Sequence, residues 1–277
     1  MSGTITITPG YEFPTDATAI TKARLNLLGN PTAQVAAGAI TARELSSSIL
    51  PVDPSAQALI YDDFLINGGT SNIIGAYNWK TIASGTSAAV SATTGTATHP
   101  GIITLTKGQT ANGYSFIRGA SGAESIIKGG GEVIVEWLVK TADYIGDASD
   151  NYILYAGLAN GAANGNEPTS GVYFSYNYNV SSGVWVGKTA LASAYTSVVS
   201  AVSAAVDSWY KLKAVINAAG TSVEFFINGT SIGTSSTNLP TAALTPICGI
   251  NNTAATARSI TYYADYVKVV QTLTTAR

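Results

Sequence analysis

The sequence predicts an all-β sandwich over most of its length. Three observations carry this: stretches where apolar and polar residues alternate with period two, Asn-Gly turn signals, and no repeat of fixed period in the 277 residues. Successive side chains of a strand point to opposite faces, so period-two alternation marks a half-buried strand. Many short strands joined by Gly-rich turns favour a sandwich, and the missing repeat argues against a propeller or solenoid.

The first 50 residues read differently. Thr4–Thr8 alternates as a strand and breaks at Pro9-Gly10. Thr15 and Asp16 can cap a helix through Ile20, Ala23, Leu25 and Leu28, which Gly29 stops and Asn30-Pro31 cannot continue. Thr41 and Glu44 have the spacing of a capping box, in which each side chain satisfies the other's end-of-helix amide. Ile20, Leu25, Leu28, Ile40 and Leu45 are the candidate oligomerisation and attachment contacts. So short and polar a segment cannot bury a core alone, because below about 40 residues folding usually needs disulfides, metals or oligomerisation. Residues 1–50 are therefore expected to dock on the remainder, on copies of themselves or on a partner. Leu50–Pro54 reads as a stiff linker. The expected division is an N-terminal segment 1–50, a linker 51–58 and a β-domain 59–277.

Within the β-domain, Val133, Val135, Trp137 and Val139 share one strand face. Tyr210, Leu212, Ala214 and Ile216 share another, with Lys211 and Lys213 opposite. Val223, Phe225 and Ile227 alternate with Glu224 and Phe226, and Asn228-Gly229 follows as a type I′ hairpin turn. Tyr263, Asp265, Val267 and Val269 form one face of a last strand. Thr189–Val206 is rich in Ala, Ser and Val, and its β-branched content reads as strand and loop.

Composition removes several classes. Charged residues make up 11% and the formal net charge is -2, so there is no basic footprint for nucleic acid. No apolar run approaches the ~20 residues of a membrane helix. One Cys and one His exclude an internal disulfide and the usual zinc sets. The N-terminus lacks the basic and apolar regions of a signal peptide, so synthesis in a cytosol is expected.

Two blocks carry a resemblance. Asp207–Thr230, with Tyr61–Phe64 at the opening and Tyr263–Val269 at the close, resembles the concanavalin-A/laminin-G-like jelly roll. The likeness covers about residues 59–272 and implies a mainly β protein, a jelly-roll sandwich behind a short helical or extended N-terminal anchor. It leaves function open, because this fold serves lectins, glycoside hydrolases and structural modules. Thr6–Phe13, Lys22–Thr32 and Gly38–Leu45 resemble the start of bacteriophage tail-fibre and related virion-fibre proteins. That likeness implies a homotrimer attached to other virion proteins by its N-terminus, made in the host cytoplasm and displayed on the virion surface.

Candidate sites follow from chemistry. Glu132 and Glu136 lie roughly 13 Å apart if both are on one strand, beyond the ~5–9.5 Å of paired glycosidase carboxylates. They read as two solvent-facing glutamates. His99 sits in a turn without a G-x-S-x-G nucleophile motif, and Cys248 reads as a small buried hydrophobe. Asp143, Asp147 and Asp150, with Glu167, are a candidate calcium set; a solvated acidic loop is the plainer reading, and no other cofactor is expected. Tyr173, Asn177, Tyr178 and Trp185 are the candidate ligand contacts, since sugars bind through apolar ring faces on aromatics and hydroxyls on amides. On a strand, Phe174, Tyr176 and Tyr178 would share the face opposite Tyr173, Ser175 and Asn177.

The expected function is non-enzymatic: a phage fibre exposing a lectin-like domain for adhesion to a host-surface glycan or protein. The alternatives are a structural head-fibre, decoration or collar protein, and a polysaccharide-degrading enzyme.

Overall fold

Period-two alternation along the chain becomes two facing sheets. A computed structural model describes residues 55–65, 74–77, 79–119, 125–141, 144–147, 151–160, 166–252 and 258–277. These lie in one compact unit, Asp53–Arg277. Ile20, Leu25, Leu28, Ile40 and Leu45 fall outside the described residues.

Fifteen strands run through the described residues. They are β1 (Gln57–Asp62), β2 (Lys80–Ser84), β3 (Ala88–Thr94), β4 (Gly101–Lys107), β5 (Tyr114–Arg118), β6 (Gly131–Lys140), β7 (Tyr152–Ala159) and β8 (Gly171–Asn177). After a single helical turn, α1 (Tyr178–Ser181), come β9 (Val184–Leu191), β10 (Ala194–Ser203), β11 (Trp209–Ile216), β12 (Val223–Ile227), β13 (Thr230–Ser235), β14 (Thr245–Asn252) and β15 (Thr261–Leu273). The eight-stranded sheet runs β13-β12-β11-β6-β15-β4-β3, with β1 also paired to β15, and the seven-stranded sheet runs β10-β9-β8-β7-β14-β5-β2. Gln57 and Ala58, expected in the linker, are already paired with Thr272 and Gln271, because β15 is long enough to recruit them.

The faces chosen by alternation pack together. Val133, Val135, Trp137 and Val139 are at most 1% exposed, and they meet Leu154, Phe174, Tyr176 and Trp185 of the other sheet in one core. Fully burying each such side chain contributes ~1.5–3 kcal/mol. Phe225 stands edge-on to Phe174 with ring centres 5.3 Å apart. Gly187 makes room for it: a Cβ there would lie 2.5 Å from the Phe225 ring.

The last strand departs from the expected pattern. A register shift between Ala264 and Tyr266 is a β-bulge. Before it Tyr262 and Ala264 face inward; after it Val267 and Val269 do. An extra residue inverts the phase of alternation, so Tyr263 and Val267 do not share a face.

The opening acidic motif is structural. Asp62 is 2% exposed. Its carboxylate accepts bonds from the Phe64 amide (2.9 Å), the Tyr77 amide (3.2 Å) and Trp79 Nε1 (2.7 Å). The chain turns there with Phe64 at φ 53°, and the Phe64 ring packs on Trp79 and Trp137.

Two hairpins show the same turn by different means. Asn228 and Gly229 both have positive φ, as their types favour. Ala192 and Ser193 also have positive φ, 51° and 68°, although neither type prefers it. Their amides donate to Ser170 Oγ (3.0 Å) and the Thr169 carbonyl (2.8 Å), which hold the strained turn in place. Thr189–Val206 is thus the end of β9, this turn and β10.

Candidate functional site

The outward face of the seven-stranded sheet is built in rows set by strand register. Phe116, Gly249, Tyr155, Ser175, Val186 and Val199 lie side by side from β5 to β10. The next row is Arg118, Ile247, Gly157, Tyr173, Lys188 and Ser197. The glycines let rings lie close to the sheet: a Cβ on Gly249 would come within 2.0 Å of the Phe116 ring, and one on Gly157 within 2.4 Å of Tyr173 Cα. Phe116, Tyr155, Tyr173 and Ala190 therefore form a second buried apolar cluster on this outward face.

Beside that cluster the surface opens into a cavity of about 460 Å³, inside the ~300–1,000 Å³ range of ligand pockets. Its floor is Ser175, Val184, Val186 and Lys188; Ser197, Val199 and Ser200 of β10 form one wall. Asn177, Val180, Ser181 and Ser182, at the end of β8 and on α1, form the other. Asn177 caps α1 by accepting the Asn179 amide at 3.0 Å, and this turn raises the wall.

The polar groups divide into committed and free. Ser200 Oγ donates to the Trp185 carbonyl at 2.7 Å, and Ser181 Oγ donates to the Asn177 carbonyl at 2.7 Å. Asn177 Oδ1 also accepts from Asn151 Nδ2 at 2.8 Å. Lys188 Nζ is ion-paired with Glu167 at 2.5 Å, and Tyr173 donates its hydroxyl to the same carboxylate oxygen at 3.0 Å. Burial, then the Glu167 charge, pushes the Tyr173 phenol well above its usual range. Ser175 is different: it is 3% exposed, lines the cavity, and its hydroxyl has no partner among the described residues. That hydroxyl is not sealed from solvent: it opens onto the cavity, available to bond whatever enters.

The expected ligand contacts separate. Asn177 lines the cavity. Tyr178 is 37% exposed and starts α1 instead of continuing the strand, so it does not share the Phe174–Tyr176 face. Tyr173 is on the predicted face but fully buried. Trp185 sits opposite Tyr176 on the inward face and is fully buried in the core, where no ligand reaches it. Sequence reasoning missed Ser175 and the β9–β10 wall; alternation places Ser175 outward but cannot show that a cavity forms there.

Of the candidate calcium set, Asp143 and Asp150 lie outside the described residues. Asp147 accepts from the Tyr144 hydroxyl at 2.5 Å, and Glu167 is held by Lys188 and Tyr173. Among the described residues no three acidic, His or Cys side chains form a group able to hold a metal.

The other outward face carries the remaining chemistry. Glu132 is exposed, and Glu136 accepts the Tyr266 hydroxyl at 2.7 Å. His99 is more than a loop residue: Nδ1 lies 2.7 Å from Asp265, and the ring stacks on Trp209 at 4.1 Å. The bulge at Asp265 turns that carboxylate toward the hairpin carrying His99. Burial, outweighing the His99 contact, lifts the Asp265 carboxyl above its ordinary value. Cys248 is fully buried, and desolvation pushes its thiol up.

Two antiparallel sheets in this order form a jelly-roll sandwich of the kind found in concanavalin-A-like lectins and glucanases. Residues 98–264 match the SO2946-like, C-terminal domain family, and the chain belongs to that family. The protein of unknown function SO2946 from Shewanella oneidensis MR-1 superposes with a TM-score of 0.55 at 16% identity, covering 95% of this chain and 99% of that one. The carbohydrate recognition domain of Emp47p gives 0.54 at 12% identity, with 80% and 100% covered. The endo-1,3-beta-glucanase from Streptomyces sioyaensis gives 0.53 at 14% identity, with 81% and 99% covered. No curated protein matches the sequence.

Proposed function

We propose that this protein is a non-catalytic glycan-binding module whose ligand occupies the β8–β9–β10 cavity. The observation that carries this is the cavity itself, with the uncommitted Ser175 hydroxyl open to it from the floor and Asn177, Ser182 and Ser197 on its rim. A sugar offers many hydroxyls to such groups and apolar C–H faces to the valines between them. The jelly-roll likeness to a carbohydrate recognition domain supports the reading. Catalysis is disfavoured because the strand glutamates lie on the opposite outward face and Glu136 is engaged with Tyr266. The resemblance of Thr6–Leu45 to virion-fibre N-termini extends the proposal: the module is the outward domain of a trimeric phage fibre, displayed on the virion for adhesion to a host-surface glycan.

The test is a glycan array probed with the full-length chain and with Ser175→Leu, which fills the cavity. Capture of glycans by the native chain, lost in the variant, is the expected result. Capture that Ser175→Leu leaves unchanged would move the site elsewhere, and no capture at all would favour a purely structural role. Light scattering of the full-length chain tests the trimer; a monomer at micromolar concentration removes it.

A further inference from the structure

We infer that the cavity is built for a neutral sugar carrying a 2-acetamido group, a reading that rests on the glycan-binding proposal and narrows it. Two features of the lining carry the inference. First, its apolar part is aliphatic and gathered: Val184 and Val186 floor the cavity, while Val180 and Val199 stand on opposite walls, 75% and 63% exposed. Val186 and Val199 are direct cross-strand partners, so their methyl groups form one patch. A plain hexose bristles with hydroxyls that four valines cannot bond, and burying a polar group without a partner is costly. An acetamido methyl belongs against such a patch; its N–H can donate to Ser175 Oγ, and its carbonyl can accept from Asn177 Nδ2, the amide atom not engaged in capping α1 or bonding Asn151.

Second, the cavity offers no uncommitted charge. Lys188 is the cation in its lining, and its ammonium is bound to Glu167 and lies 5.8 Å from the centre of the Tyr195 ring. An acidic sugar would have to take Lys188 from Glu167 and leave that carboxylate with the Tyr173 hydroxyl but without its counter-charge. The arrangement therefore disfavours carboxylated and sulfated sugars.

The probes are cellobiose and N,N′-diacetylchitobiose, which share a β-1,4-linked glucose backbone and differ at C2, with sialyllactose as the acidic comparison. Calorimetry on the full-length chain is expected to show diacetylchitobiose binding at least about tenfold more tightly than cellobiose, the scale of one methyl group in an apolar pocket. In saturation-transfer NMR the strongest signal is expected on the acetamido methyl protons. The double variant Val180→Ser/Val199→Ser alters two exposed side chains and should narrow the preference to about threefold or less, with thermal midpoint retained. Equal binding of the two disaccharides, or a methyl signal no stronger than that of the ring protons, overturns the acetamido assignment while glycan binding stands. Tighter binding of sialyllactose overturns the charge argument. Failure of all three probes, with other glycans captured on the array, also overturns this inference alone; failure of every glycan overturns the functional proposal with it.

Discussion

The two outward faces of the sandwich are made of the same kind of strand and do different things. On the eight-stranded sheet, Lys213 lies over Phe226 with its ammonium 4.2 Å from the ring centre. Glu136 bonds Tyr266, and Lys140 pairs with Asp207. These are long side chains laid along a surface, their stems covering apolar area and their charges near water. On the seven-stranded sheet the rows contain glycines with rings close over them, then a cavity. Its one cation, Lys188, is committed to a carboxylate. The lesson concerns where charge is missing. The overall content of 11% is low, and the cavity lining holds a single charged side chain, already paired.

The largest expected effect that would break this comparison is at Gly249. Gly249→Ala places a Cβ 2.0 Å from the Phe116 ring, and overpacking of this kind costs about 1–3 kcal/mol. Lys213→Ala on the other outward face should change stability by less than about 0.5 kcal/mol. Urea denaturation of both variants measures the contrast; equal effects would mean that the ring cluster is not tightly packed.

Next is Glu167→Gln. It removes the carboxylate shared by Lys188 and the Tyr173 hydroxyl, and the group is partly exposed, so the expected loss is about 1 kcal/mol. The same variant frees Lys188, so it should raise the affinity of the cavity for acidic glycans. Denaturation and array binding together check both halves.

The turn between β9 and β10 gives a gain. Ala192→Asn with Ser193→Gly supplies the residue types that a type I′ turn favours, and should stabilise by about 0.5–1 kcal/mol. A rise in thermal midpoint is the expected reading; a fall would mean that the Ala192 and Ser193 side chains matter beyond their backbone.

The last effect is a slope. Asp265 has its carboxyl raised above 3.8, chiefly by burial and against the His99 contact. A raised carboxyl resists ionisation in the folded state. Its contribution to stability is thus fully present below 3.8 and is lost as pH rises through the folded-state value. Asp265→Asn, which can still accept a bond from His99, should flatten that segment of the stability–pH curve. Thermal melts at closely spaced pH values between about 3 and 6 measure it; an unchanged slope would remove the assignment.

Much of the sandwich was legible in the residues. The burial of Val133 through Val139, of Tyr210 through Ile216 and the Asn228-Gly229 hairpin all followed from alternation and turn chemistry, which are local properties. The site was only partly legible. Asn177, expected as an outward amide beside tyrosines, lines the cavity. Trp185 was assigned to the ligand but belongs to the core, because the turn Tyr178–Gly183 sets which face of β9 meets Tyr176. Alternation placed Ser175 outward beside Tyr173 and Asn177, but the cavity over it depends on β10 and the Tyr178–Ser181 turn, which alternation does not reveal. His99 and Asp265 are 166 positions apart, and only the bulge in β15 brings them together.

The sequence by itself determined which stretches are strands, where the sharp turns fall and that the β-domain can bury a core, because strand periodicity and turn preferences depend on neighbouring residues. The tertiary structure alone decided which outward face carries the cavity, where the phase of β15 inverts, and that the Ser175 hydroxyl opens onto that cavity. Those depend on register between strands far apart in the chain, and register is set by the packing of the whole sandwich.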